Sequence, residues 1–131
     1  MKTATAGTSG THPGAEWPSD WLRAALGLCV LRALEEGPSY GYAIIAELER
    51  AGLGTIKGGT LYPLLTRHEA SGWVTTEWKA GDGGPGRKYF ALTDSGRDEL
   101  HHQADRWNAF TAASIRYISP AGSGNKQGRT A

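Results

Sequence analysis

The chain has 131 residues, of which 39% are hydrophobic, and its formal net charge at pH 7 is +1. This length predicts one domain with a modest core, which a partner chain would help to stabilise. The lone Cys29 excludes an internal disulfide, arginines interrupt the longest apolar stretch well short of a membrane span, and no signal-peptide pattern opens the chain. We therefore expect a cytoplasmic protein without membrane contact.

Both ends of the chain are rich in glycine, proline and small polar residues. Residues 1–19 and 119–131 are therefore predicted to be disordered tails. Between them we expect a compact domain at 20–92, followed by a long helix at 93–118.

Two helices are predicted at the start of the compact domain. Ser19 or Asp20 can cap the first, which is apolar nearly all round until the sequence EEGPS and is typical of a buried helix. The second lies in GYAIIAELERAG, with Tyr42, Ile45 and Leu48 on one side and a glycine at its end.

The sequence GGTLYPLLTRHEASGWV, residues 58–74, predicts a third helix with two different faces. Leu61, Leu64, Leu65 and His68 recur at helical spacing and form one buried stripe. The other face carries hydroxyls, a ring and a guanidinium but no acid, in Thr60, Tyr62, Pro63, Thr66 and Arg67. Pro63 is expected in the first turn, where a missing N–H costs little.

A hairpin and a final helix complete the predicted elements. WVTTEWKA and RKYFALT, joined by the glycine-rich GDGGPG, predict its two strands. From Thr93 a last helix of about 25 residues is expected, with Thr93 or Asp94 as its cap. Its residues recur at spacings of three and four and predict a dimer interface of Leu100, Gln103, Trp107, Phe110, Ser114 and Tyr117.

This element order predicts a mainly α protein with a small β-hairpin, a winged helix-turn-helix extended by a dimerisation helix. In that fold the third helix enters the major groove of DNA and the hairpin touches the adjoining backbone. Arg67 can reach a guanine edge or a phosphate, and Thr66 shares its face. Thr60 and Tyr62 can bond phosphate, Lys57 precedes the positive helix N-terminus, and Arg87 and Lys88 flank the hairpin tip.

The combination of GPSYGYAI, GGTLYPLLTRHEASGWV and GGPGRKYFALTDSG resembles the PadR family of bacterial transcriptional regulators over roughly residues 22–100. The resemblance implies DNA contacts from Ser39 and Tyr40 and from Gly59 to Pro63. It also implies a homodimer built on a single final helix, and it favours a repressor at an inverted-repeat operator. His68 departs from the family pattern, which usually has leucine there.

The resemblance also suggests an effector. Drug-responsive members of the family place a tryptophan at a position similar to Trp107. A planar aromatic or nucleotide-like compound could then stack among Trp107 and Phe110 of the final helices and Trp21 and Ala25 of the first helices. Plain packing of Trp107 in the dimer seam is the alternative interpretation.

Several patterns have a less specific explanation. GDGGPGRK lacks the Ser or Thr of a phosphate loop and is interpreted as a hairpin turn. Four residues of the last helix have a spacing that would allow a metal site: Asp98, His101, His102 and Asp105. A solvated helix face also explains this spacing, so we expect no metal. Cys29 is read as a small buried hydrophobe rather than a redox switch, and His68 as a core histidine or a pH-sensitive group.

No catalytic constellation with supporting context is present, so we expect neither an enzyme nor a cofactor. The alternative to a DNA-binding regulator is a winged helix that contacts proteins alone. The acid-free face of residues 60–67 argues against this alternative, because a protein-docking face would tolerate acids.

Overall fold

The computed structural model describes residues 17–81 and 83–119. In this part of the chain four helices and three strands occur in the order α1 (Ser19–Ala33), β1 (Ser39–Tyr40), α2 (Gly41–Arg50), α3 (Gly58–Ala70), β2 (Val74–Lys79), β3 (Arg87–Leu92) and α4 (Asp94–Ile118). The predicted winged helix-turn-helix with a long final helix is confirmed. Apart from residues 17–19 and 119, the predicted tails lie outside the described residues.

The sheet has three antiparallel strands in the order β1-β3-β2. The predicted hairpin of β2 and β3 is confirmed, with Val74 opposite Leu92 and Trp78 opposite Lys88. The sequence did not predict β1, which adds Tyr40 opposite Tyr89. A strand of two residues is too short to show any alternation.

The core lies between the helices and one face of the sheet. Its most deeply buried side chains come from α1 with its C-cap Leu34, from α2, from α3 and from β2. They are Leu26, Val30, Leu31, Leu34, Ile44, Leu61, Leu65 and Val74. The predicted stripe of α3 is confirmed, because Leu61, Leu64, Leu65 and His68 are all buried. This stripe fixes which face of α3 is left for solvent.

Two local predictions, on the cap of α1 and the buried face of α2, were wrong. Helix α1 begins at Ser19 with Pro18 as its N-cap, and no side chain bonds the cap. On α2 the buried residues are Gly41, Ile44 and Leu48, whereas Tyr42 is 73% exposed. A helix turns by about 100° per residue, so a face centred on Ile44 leaves Tyr42 on the opposite side.

Pro63 does not lie in the first turn of α3. The helix begins earlier, at Gly58, and the Leu61 N–H donates to the carbonyl of Lys57 at 3.0 Å. Pro63 is therefore in the second turn and leaves the Gly59 carbonyl without its usual helical donor.

The start of α4 is attached to the core. Thr93 is its cap, as predicted, because its Oγ1 accepts from the Gly96 N–H at 2.9 Å and donates to the Gly72 carbonyl at 2.7 Å. Leu100 is 3% exposed. It is a core residue of its own chain and is therefore not part of the dimer interface in which the sequence placed it.

The chain divides into two compact units, the first ending at Leu100 and the second beginning at His101. The first unit contains α1 to β3 and the start of α4. The second contains the rest of α4, residues 101–118. In the part of the chain that the structure describes, no helix is long and apolar enough to cross a membrane.

Candidate nucleic-acid interface

The outer face of α3 is open to solvent, as the sequence predicted. All five members of the acid-free face are exposed: Thr60, Tyr62, Pro63, Thr66 and Arg67. Thr66 Oγ1 donates to the Tyr62 carbonyl at 3.0 Å. The Thr66 hydroxyl proton is therefore used within the helix, whereas the charge of Arg67 is presented outward.

His68 anchors the opposite face of α3 to α1. Its Nε2–H donates to the Gly27 carbonyl at 3.0 Å, and its ring lies 5.5 Å from that of Trp73. Burial lowers the pKa of His68 and the charge of Arg67 adds to the lowering, whereas the hydrogen bond to Gly27 raises it. These contacts support the core-histidine interpretation, since the ring is neutral and partnered.

Tyr62 is seated against the start of α2. A Cβ atom at Gly41 would overlap the hydroxyl end of the Tyr62 side chain, so a larger residue there would displace the Tyr62 ring. Gly58 also borders this ring, because a Cβ there would lie 3.4 Å from Tyr62 Cε2. The two glycines thus position the Tyr62 ring, which is 47% exposed.

The wing carries a stack of cations and rings on one face of the sheet. Arg87 Cζ lies 4.4 Å from the centroid of the Tyr40 ring, and Lys79 Nζ lies 4.8 Å from that of Tyr89. The Tyr40 and Tyr89 rings meet edge to face, with centroids 5.3 Å apart. Such contacts favour a defined position for each cation.

Lys79 and Tyr89 are members of this surface that the sequence analysis missed. Strand alternation could have placed Arg87 and Tyr89 on the same face, because they are two residues apart. Their partners come from other strands, and the register that joins them was visible only in the sheet.

A cleft of about 460 Å³ lies between α2, α3 and the wing, and we call it the wing cleft. Its aromatic lining consists of Tyr40, Tyr42, Tyr62 and Trp78. Arg87 and Lys88 supply its charge, and Gly41 and Gly86 complete it. None of these described lining residues is acidic, so the wing cleft is both aromatic and cationic.

The predicted DNA-binding residues fall into two groups. Tyr40, Tyr62, Arg87 and Lys88 meet at the wing cleft. Along α3 and its entry lie Lys57, Gly59, Thr60, Pro63, Thr66 and Arg67, all of them exposed. Ser39 is half-buried in β1, opposite Phe90, and Tyr40 is half-buried beside it.

The second unit presents the predicted dimer seam. Phe110 is 61% exposed and Tyr117 is 92% exposed, whereas Gln103, Trp107 and Ser114 are half-buried. The sequence analysis missed Ile115 and Ile118, which are 60% and 75% exposed. The Trp107 and Phe110 rings contact each other with centroids 5.9 Å apart.

The remaining candidate residues lie on α1. Trp21 is 64% exposed and Ala25 is half-buried. Cys29 packs against the core, and burial raises the pKa of its thiol, which disfavours the reactive thiolate. In residues 17–81 and 83–119 no group of three or more His, Cys, Asp or Glu side chains could hold a metal ion.

An open recognition face, a preceding helix that supports it and a cationic wing define a winged helix-turn-helix protein. Residues 30–102 match the PadR-like family of transcriptional regulators, and the chain belongs to this family. The protein is accordingly a transcriptional regulator and not an enzyme.

Similar proteins agree with this assignment. The transcriptional regulator Rv3488 of Mycobacterium tuberculosis is 37% identical over 81 residues, which are 62% of this chain and 74% of that protein. An uncharacterized 37.1 kDa protein in transposon TN4556 of Streptomyces fradiae is 38% identical over 77 residues, 59% of this chain, and the match spans 21% of that protein's length. The crystal structure of a PadR family transcriptional regulator from Eggerthella lenta has a TM-score of 0.70 and 33% identity, covering 77% of this chain and 88% of that one.

Proposed function

We propose that this regulator binds double-stranded DNA as a homodimer at an inverted-repeat operator and represses transcription there. The observation that carries the proposal is the exposed face of α3 over residues 60–67, which presents Tyr62, Thr66 and Arg67 with no acid among these residues, beside a wing that carries Arg87 and Lys88. A surface with this charge and shape complements the major groove and its flanking phosphates.

The two parts of the surface have different tasks in this proposal. Arg67 projects from α3 and reads a base edge, for which a guanidinium on guanine is the commonest specific contact. Arg87, Lys88 and Lys79 on the wing neutralise phosphates, which gives affinity without sequence information. Tyr40 and Tyr89 hold two of these cations in place.

The first test is on α3. Arg67→Ala is expected to weaken operator binding by about 1 to 3 kcal/mol if Arg67 reads a base, and Tyr62→Ala is expected to weaken it as well. The operator would be selected from random duplexes, and affinities would be measured by fluorescence anisotropy at fixed salt. Arg50→Ala is a matched control, because Arg50 is an exposed arginine in the last turn of α2.

An unchanged affinity after replacement of both Tyr62 and Arg67 would exclude α3 as the recognition helix. Parent protein that binds no duplex at low salt would favour the other function, a winged helix that contacts proteins alone.

The second test is on the wing. Arg87→Ala and Lys88→Ala are expected to weaken operator and mixed-sequence duplexes alike. Each is expected to lower the slope of log affinity against log salt by about 0.9 for each phosphate that the wing no longer neutralises. A weakening confined to the operator would contradict the division of tasks between wing and α3.

The exposed apolar side chains of the second unit support the proposed homodimer. Phe110, Ile115, Tyr117 and Ile118 are exposed in the single chain, and the predicted seam recurs at spacings of three and four. We propose that this seam packs on a second copy. A two-fold dimer requires an inverted repeat whose half-sites lie about one or two helical turns apart.

A planar aromatic or nucleotide-like effector is part of the same proposal. In the dimer, Trp107, Phe110 and Trp21 would offer rings for stacking, and Ala25 would leave room beside them. The ligand would change DNA affinity by no more than its own preference between two spacings of the recognition helices. Support comes from the contact of the Trp107 and Phe110 rings and from the exposure of Trp21.

Trp107→Ala tests this effector site. It is expected to abolish the binding of planar dyes, measured by fluorescence titration, and to leave the dimer and its DNA affinity nearly intact. A variant that binds the dyes as well as the parent does, or that dissociates, would show that Trp107 is a packing residue.

A further inference from the structure

The wing cleft holds an unusual share of the exposed aromatic surface. In the described residues of the first unit five large apolar or aromatic side chains are exposed, and three of them, Tyr42, Tyr62 and Trp78, line this one cleft. Exposed apolar surface gathered beside charges is typical of a binding site rather than of a solvated face.

Trp78 is the least expected of the three. It lies on the same face of the sheet as Val74 and opposite Lys88, because side chains alternate along a strand. Val74 is 2% exposed, whereas Trp78 is 69% exposed. The indole therefore continues the apolar face of β2 beyond the end of the core and into the cleft.

The cleft also has a fixed wall and a charged rim. The hydroxyl end of Tyr62 lies against the backbone of α2 at Gly41, where a larger side chain would displace it. Arg87 rests on the Tyr40 ring and Lys88 pairs across the hairpin with Trp78. A ligand that fits this combination carries a negative charge next to an apolar surface.

A nucleotide unit of the DNA backbone has this chemistry, since its phosphate is anionic and one face of its deoxyribose is made of C–H groups. We propose that the wing cleft binds one such unit, with the phosphate at Lys88, which shares a face of the sheet with Trp78, and the deoxyribose packed against Trp78 and Tyr42. This inference rests on the proposed DNA binding and adds an apolar, sequence-independent contact to it.

The test compares variants of the full chain on a mixed-sequence duplex at several salt concentrations. Trp78→Gln is expected to weaken binding by roughly fivefold to tenfold, the scale expected when about 50 Å² of apolar surface is no longer buried. The slope of log affinity against log salt is expected to stay that of the parent, because an apolar contact releases no counterions. Trp78→Phe, which keeps a ring, is expected to retain most of the affinity.

Two further variants serve as controls. Lys88→Gln is expected to lower the salt slope by about 0.9, which shows that the assay resolves one phosphate contact. Trp17→Gln removes a partly exposed indole from the opposite end of α2, where Trp17 Nε1 donates to the Gly52 carbonyl, and is expected to leave affinity unchanged.

Three results would overturn the proposal while leaving the proposed function standing. Unchanged affinity of Trp78→Gln would leave the cleft to another occupant, such as a peptide. A lower salt slope for Trp78→Gln would show that the indole acts by placing the wing cations. A larger loss on single-stranded than on duplex DNA would indicate stacking on a base. Parent protein that binds no duplex would overturn the proposed function and this inference together.

Discussion

Phe90 and Phe110, the two phenylalanines of the chain, show how differently its two units are built. Phe90 lies on β3 and is 3% exposed, whereas Phe110 lies on α4 and is 61% exposed. The first unit encloses an apolar core within one chain, although aromatic side chains such as Trp78 are exposed on its surface. The second presents Phe110, Ile115, Tyr117 and Ile118 to solvent.

The difference distinguishes apolar surface that one chain can bury by itself from apolar surface that a second chain must cover. In the first unit the predicted apolar stripe of α3 is buried, and the core of this unit is formed by its own helices and strands. In the second unit, a single helix cannot bury its own apolar seam, because such a seam is buried only against another element. We infer that the second unit was selected for contacts between chains, and the following predictions test this comparison.

The largest effect is expected from removal of the second unit. A chain ending at His102 keeps Leu100 and with it the core, so its helical circular dichroism signal per residue and cooperative melting should persist. Light scattering should show a monomer. Operator affinity should fall by about a hundredfold or more, because the two half-sites are no longer bound together.

A chain ending at Ser119, which keeps the whole of α4, is the control and should stay dimeric. The comparison of the two units would be wrong if the chain ending at His102 remained a dimer at micromolar concentration. It would also be wrong if the full chain were a monomer under those conditions.

The next largest effect is expected from the same change, phenylalanine to alanine, made separately in each unit. Phe90→Ala should lower the free energy of unfolding by about 3 to 5 kcal/mol at every protein concentration, the cost of a cavity in a closed core. Phe110→Ala should hardly alter the monomer. It should raise the dissociation constant of the dimer by roughly tenfold to a hundredfold, since each interface then lacks two rings.

Denaturant unfolding at two protein concentrations, together with analytical ultracentrifugation, measures both quantities. If Phe110→Ala destabilised the chain by the same amount at both concentrations, then Phe110 would belong to a core of its own chain.

The smallest effect concerns the hydrogen bond that joins α3 to α1, from His68 to the Gly27 carbonyl. Because the folded-state pKa of His68 lies below its unfolded value of about 6.5, the unfolded chain takes up the proton first as the pH falls. The unfolding free energy should therefore be undiminished above that pH and should decrease below it. His68→Leu should remove this part of the pH dependence.

Chemical denaturation between neutral and mildly acidic pH measures the effect, which should be smaller than the destabilisation caused by Phe90→Ala. His102→Leu is the matched control, because His102 is an exposed histidine on α4. If the unfolding free energy of His68→Leu depended on pH in the same way as that of the parent, protonation of His68 would not contribute to stability.

Local sequence patterns were sufficient for the elements whose signal lies within one or two turns. The spacing of Leu61, Leu64, Leu65 and His68 predicted the buried stripe of α3, and with it the face left for solvent. Strand alternation and a glycine-rich tip predicted the hairpin, and Thr93 predicted the start of α4. In each case the periodicity of a helix or a strand ties one residue to another a few positions away.

Only the tertiary structure decided the features that depend on contacts between distant segments. Tyr40 joins the wing because β1 pairs with β3, some 50 residues further along the chain. The wing cleft brings Tyr42 and Trp78 together although neither was a candidate from sequence. Leu100 continues the seam by spacing alone, yet it is buried within the first unit, to which the start of α4 belongs. Spacing along a helix determines which residues share a face, whereas the partner of that face is decided by how the elements pack.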